Sequence, residues 1–246
     1  MRHDGGEADA SPRFLGGIDP RRCSPHVKAI TAVVLDVDGT VVTCPYDFAA
    51  MRAAVAALAA GYGVDTATLG VRGVLEQIEA ATEQIGAQGE AFRQQAEAAV
   101  EQIEVSVART ASFLPGAQEA LARLRAEGLA ILLITRNCRV VAHTVLAGFG
   151  GYDVLLTRED VPRVKPDPDH VLRALALVRQ GPEAAVMVGD HAFDMQAGCG
   201  AGLPISVGVR TGGSTDASLL AAGAEVVLDS LADLPDWLAD RVKVAT

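Results

Sequence analysis

The chain offers carboxylates, a lysine and a threonine at places where they could act together on a phosphoryl group. Asp36 and Asp38 follow an apolar, β-branched run over residues 29–35, and Gly39 and Thr40 close that segment. Thr135, Arg136 and Asn137 follow a second apolar run, residues 130–134. Asp190 follows a third, residues 185–188, and Asp194 stands one helical turn further on. Lys165 lies in the loop after residues 154–156, next to Pro166. Crowded carboxylates repel one another and favour protonation unless a cation neutralises them. Asp36, Asp190 and Asp194 supply hard oxygen ligands, which suit Mg²⁺ better than zinc. With the cation and Lys165 holding a phosphoryl group, and Thr135 donating its hydroxyl to it, a carboxylate could attack phosphorus and split one displacement into two. Asp38 could protonate the departing alkoxide and then take a proton from water. Gly39 lets the chain turn sharply there without a Cβ clash.

The elements around these residues must bring them to one place. The apolar runs at 29–35, 130–134, 154–156, 185–188, 205–207 and 225–228 have the length and β-branched content of buried strands. Helical stretches separate most of them, including 167–178, opened by Asp167 and Pro168. Pro115 and Gly128 bracket another helix, as a proline in its first turn and a glycine past its end. This alternation predicts an α/β fold, a doubly wound, mostly parallel sheet, in which ligands bind beyond the carboxyl ends of the strands. Residues 46–112 differ in character, being rich in Ala, Glu and Gln. Helices are expected over 47–60, 71–85 and 90–111, with breaks at Gly61-Tyr62-Gly63 and Gly86-Ala87-Gln88-Gly89. The expected division is a flexible tail (1–27, with Phe14, Leu15 and Ile18 able to dock), a Rossmann-like core (28–45 and 113–246) and an inserted α-helical module (46–112).

Composition narrows the partners. The formal net charge is −10, a field that repels nucleic acid and anionic membrane. The N-terminus has no apolar segment behind a basic start, and no transmembrane run appears. The four cysteines are scattered without a CxxC pair, so a reducing, cytoplasmic setting is expected rather than disulfides or zinc. The expected partner is a small phosphorylated metabolite, with no nucleic acid and no membrane, acting on a monomer or homodimer.

In this arrangement the chain resembles the haloacid dehalogenase superfamily, from Val33 to about Leu238. The resemblance rests on Asp36-Val37-Asp38-Gly39-Thr40, on Thr135 after an apolar strand, on Lys165 before Pro166-Asp167-Pro168, and on Gly189-Asp190-His191-Ala192-Phe193-Asp194. It implies Asp36 as nucleophile and metal ligand, and Asp38 as acid/base with its backbone carbonyl on Mg²⁺. It also implies Thr135 and Lys165 for phosphate and charge stabilisation, Asp190 for the metal, and Asp194 as a metal ligand or an orienting residue. The dehalogenases resembled lack a second aspartate, so Asp38 implies phosphoryl transfer. The helical insertion resembles a small cap of the phosphoglycolate-phosphatase-like members. Val41-Val42-Thr43-Cys44-Pro45 departs from the Leu-Val-Asp-Ser that such phosphatases often carry after this motif.

Plainer readings stand beside these. Asp-Gly commonly marks a turn, a threonine after a strand can cap a helix, and an aspartate in a first helical turn can simply favour the dipole. Arg136 and Asn137 could meet phosphate through their backbone amides while their side chains face solvent. His191 is expected at the entrance, His143 and His170 on helix surfaces, and Cys44 and Cys138 as small buried thiols. Arg52, Arg72 and Arg93 of the cap could select an anionic substrate tail or merely face water. A phosphomutase with the same nucleophile and acid/base pair, and a non-catalytic phosphate-binding regulator, are the alternatives to a phosphatase.

Overall fold

The computed structural model describes residues 29–71 and 73–241. The expected tail with Phe14, Leu15 and Ile18, and Arg72, lie outside the described residues. Eight strands occur among them: β1 (Ala32–Asp36), β2 (Val42–Thr43), β3 (Ser112–Phe113), β4 (Ala130–Ile134), β5 (Val154–Leu156), β6 (Ala185–Gly189), β7 (Ile205–Val209) and β8 (Val226–Leu228). Six form one sheet in the order β5-β4-β1-β6-β7-β8, and every pairing in it is parallel. β1 is paired along both edges and packed against an apolar layer on each face, so every residue in it is buried. Val33 and Leu35 point into one core layer, Ala32 and Val34 into the other. This is the two-residue period of a strand read out as two apolar layers.

The helices outside the insertion, α4 (Ala117–Ala126), α5 (Arg139–Val145), α6 (Asp169–Leu177), α7 (Ala192–Gly200), α8 (Asp216–Ala221) and α9 (Leu234–Arg241), cover that sheet. Leu121, Val141 and Leu234 pack on one face, and Val171, Ala174 and Ala197 on the other. The strand order reverses at β1: the chain leaves it for β4 and β5, then crosses back to β6. A crevice opens at such a switch point, beyond the strands' carboxyl ends.

The insertion consists of α1 (Phe48–Gly61), α2 (Val74–Ile85) and α3 (Gly89–Ala108). Asp47 accepts a hydrogen bond from the Ala50 amide at 2.8 Å and so caps α1. Met51, Val55 and Ala59, spaced by four, meet Phe92, Ala96 and Val100 of α3 in a separate apolar cluster. β2 and β3 pair antiparallel where the chain enters and leaves this module.

Two local expectations change. Pro115 does not sit in the first turn of α4. The Ala117 amide bonds to the Leu114 carbonyl at 3.1 Å, with Gly116 at φ 74°. Pro115 and Gly116 therefore form a tight turn of the type that requires positive φ at its third residue, and the helix starts after it. His170 is not on a helix surface. It is fully buried against the sheet, its Nε2 donating to the Leu156 carbonyl at 3.2 Å, and burial lowers its pKa to about 3.

Candidate active site

Neighbouring strand ends bring the sequence-predicted residues together. Asp36 closes β1 opposite Ile134 of β4, so Thr135 is the next residue along β4's path. Asp190 follows Gly189, the last residue of β6 on β1's other side. Lys165 comes in from the loop before α6 and is 2% exposed. Its Nζ donates to Asp36 Oδ1 and, at 2.6 Å, to Asp194 Oδ1. Burial alone would lower the lysine's pKa; Asp194 and then Asp36 outweigh it and hold the ammonium charged. Asp194 sits in the first turn of α7, where its Oδ2 accepts from the His191 amide at 2.9 Å. Both oxygens of Asp194 are thus engaged, one by the lysine and one by the helix it starts.

Asp38 is turned differently from Asp36. Its Oδ2 accepts from Asn137 Nδ2 at 2.7 Å and from Thr135 Oγ1 at 3.3 Å, and the nearby Tyr46 hydroxyl favours its charged form. Asn137 Nδ2 reaches the Tyr46 oxygen as well, at 2.7 Å. Asp38 Oδ1 is buried without a partner among the described residues. Burial first, and the negative Asp36 second, push Asp38 up to about 7. Asp36 rises to about 6, burial and Asp190 outweighing Lys165.

Asp36, Asp190 and Asp194 each present a carboxylate oxygen within 4.8 Å of the others. Burial raises Asp190 and Asp194 too, so three low-dielectric carboxylates face the single ammonium of Lys165. Asp190 lies in a cradle of backbone. Its Oδ1 accepts from Thr40 at 3.4 Å and its Oδ2 from the Gly213 amide at 3.3 Å. A Cβ on Gly39 would come within 2.7 Å of its Cγ, and one on Gly212 within 1.7 Å of Oδ2. An excess of hard oxygen donors over cations, packed this closely, fits a small divalent cation held by Asp36 and Asp190.

The cavity above these groups measures about 640 Å³ and is roofed by the insertion. Phe48, Met51, Val74, Leu75 and Val100 give it an apolar roof, and Arg52 lines it too. A larger cleft of about 1330 Å³, between α2, α3 and residues 158–167, runs into it through Glu76, Arg136 and Phe193. Arg136 and Asn137 do not send their side chains to solvent. Arg136 Nη2 bonds to Glu76 Oε1 of α2 at 2.5 Å and lies 4.9 Å from the Phe193 ring centre. Arg158 Nη1 bonds to both oxygens of Glu104 at 3.1 Å. Burial raises the Glu104 pKa and Arg158 opposes it.

Sequence reasoning missed Tyr46, Glu76, Glu104 and Arg158. Glu104 had a signal: it continues the buried series Phe92, Ala96, Val100 at a spacing of four, a carboxylate on an apolar stripe. His191 lines the cavity, its Nδ1 accepting from the Phe193 amide at 3.2 Å. His143 is exposed, Cys138 is buried, and Cys44 is half-buried. Arg93 stands outside this cavity and pairs with Glu90.

A carboxylate pair, a buried lysine and a threonine at the switch point of a parallel sheet mark a hydrolase, and the chain belongs to the haloacid dehalogenase-like hydrolases, whose family model matches residues 30–202. It is 31% identical over 216 residues to the plasmid-borne phosphoglycolate phosphatase of Cupriavidus necator, covering 85% of this chain and 93% of that protein. The pyrophosphatase PpaX of Bacillus mycoides is 34% identical over 122 residues, 47% of this chain and 55% of that protein. A hydrolase from Pseudomonas syringae shares the fold at a TM-score of 0.63 and 24% identity, covering 87% of this chain and all of that one. No helix among the described residues is long and apolar enough to cross a membrane.

Proposed function

We propose that this hydrolase is a cytoplasmic phosphatase of small phosphorylated metabolites, working through an aspartyl-phosphate on Asp36. The observation that carries the reading is the different setting of two carboxylates two residues apart. Asp36 is ion-paired to Lys165 and faces Asp190, whereas Asp38 is held by neutral donors with one oxygen unpartnered. A mostly charged nucleophile beside an acid that titrates near neutral pH, and so can both give and take a proton there, is what ester cleavage needs.

Asp36 attacks phosphorus and forms the acyl phosphate. Asp38 gives its proton to the departing alkoxide, then takes one from the water that opens the acyl phosphate, which restores Asp36. Thr135 and the amides of Arg136 and Asn137 hold the phosphoryl oxygens, and Lys165 offsets their charge. Asp36 and Asp190, with the Asp38 carbonyl, would hold Mg²⁺, and Asp194 orients Lys165. The ion supplies Lewis-acid charge neutralisation at the phosphoryl group. The working units are the core (28–45 and 113–246) and a cap (46–112). The names of the relatives point to phosphoglycolate and pyrophosphate, both small phosphates.

Release of inorganic phosphate from a panel of phosphorylated metabolites tests this. Wild type should release it in Mg²⁺ and stop in EDTA, and Asp36→Asn should lose at least about 10⁴-fold in kcat. Undiminished activity in that variant would overturn the nucleophile, and an isomeric phosphate as product would make the enzyme a mutase.

A further inference from the structure

The cavity shows what the leaving group should carry. Met51 and Arg52 lie one helical turn after Phe48 on α1, and all three line the cavity above the aspartates. Most described arginines lie against a carboxylate. Those without an ion-pair partner are Arg52, Arg109, Arg173 and Arg179, and of these only Arg52 faces the cavity. The arrangement is notable in a chain of net charge −10. The cap has two carboxylates lining the same cavity, Glu76 and Glu104. Each is taken by an arginine of the core, Glu76 by Arg136 and Glu104 by Arg158. The roof therefore keeps one positive charge, set among apolar side chains that weaken solvent screening.

We infer that Arg52 recognises a second anion on the substrate, so that the preferred ester bears a carboxylate or a second phosphate on its leaving group. This rests on the phosphatase reading above and narrows its substrate class. The fork of a guanidinium matches either anion, and its position on the cap puts the recognised group on the alcohol side of the ester. The phosphoryl end is the business of the floor. Beside the guanidinium an ammonium tail meets a like charge, and a neutral hydroxyl forms a weaker bond than an anion does.

The test compares four esters of similar length: carboxymethyl phosphate, ethylene glycol bisphosphate, 2-hydroxyethyl phosphate and 2-aminoethyl phosphate. Each is assayed on wild type, Arg52→Gln and Arg52→Lys, with p-nitrophenyl phosphate as a reference ester. Wild type should prefer one or both anionic tails in kcat/KM, the two arms separating carboxylate from phosphate. Arg52→Gln should reduce that preference by about 10- to 100-fold, the worth of a charged hydrogen bond, and mainly through KM. Arg52→Lys should recover part of it, which loss of folding would not produce. An unchanged preference in Arg52→Gln, an equal loss on all esters, or a wild type indifferent to the tail would overturn the inference. Should no ester, including p-nitrophenyl phosphate, release phosphate, the phosphatase reading fails. Arg52 is then judged by calorimetric titration with phosphonoacetate against ethylphosphonate: tighter binding of the former to wild type, weakened in Arg52→Gln, supports it, and equal affinities refute it.

Discussion

On the floor of the cavity four aspartates and a lysine gather around three strand ends, all of them buried except the half-buried Asp38, whereas on its roof two glutamates reach across to core arginines and Arg52 stands without a carboxylate. Floor charges are fixed by short contacts inside the sheet's own crevice. Roof charges are fixed by bridges between two separate apolar clusters, that of the sheet and that of the three cap helices. The floor therefore depends on strand register, which a one-residue slip would destroy. The roof depends on long side chains, which can change partners. A site built this way separates the bond-breaking apparatus from the part that tells one ester from another.

Substitutions can break that division or sharpen it. Lys165→Met should have the largest effect, because it leaves Asp36 and Asp194 buried without their ammonium. A stability loss of about 3–5 kcal/mol is expected in urea unfolding without metal, with activity falling about 10²- to 10³-fold. A stable and active variant would mean that the floor's charges are not interdependent. Glu104→Gln should cost about 1–3 kcal/mol in the same measurement, since Arg158 is left buried beside a neutral amide. Its kcat should change much less than that of Lys165→Met; a comparable collapse would erase the distinction between floor and roof. Tyr46→Phe should be the mildest. Tyr46 adjoins the cap, yet its hydroxyl accepts from Asn137 Nδ2, the same amide that holds Asp38 of the floor. An alkyl phosphate, which needs its leaving group protonated, should slow about 3- to 10-fold in single-turnover kinetics, and p-nitrophenyl phosphate should slow less. Equal slowing on both would remove Tyr46 from the positioning of Asp38.

The floor was more legible in sequence than the roof, for a physical reason. Each floor residue follows an apolar run, and the runs at Ala130–Ile134 and Val154–Leu156 are the strands of the structure, residue for residue. Fold and floor are thus written in the same local pattern. Tyr46 lies in a turn with no periodicity, and what it touches is set by a loop closing over residue 137. β2 and β3 have two residues each, too short to show alternation. Glu104 and His170 were within reach of pattern reasoning. Glu104 sits on the buried stripe of α3, and His170 precedes Val171 and stands four residues before Ala174 on the apolar face of α6. What the pattern could not supply was the partner, Arg158 for one and the Leu156 carbonyl for the other.

The short β2–β3 pair has a consequence for how such a protein can be altered. Because the chain leaves the core at Val42–Thr43 and returns beside it at Ser112–Phe113, everything between hangs from a single clip. Exchanging that whole segment for another of different length adds little closure entropy, since the cost grows only with the logarithm of loop length. The clip is a natural splice point, at which one catalytic sheet could be fitted with different lids and so be turned to different esters without touching the strands that break the bond.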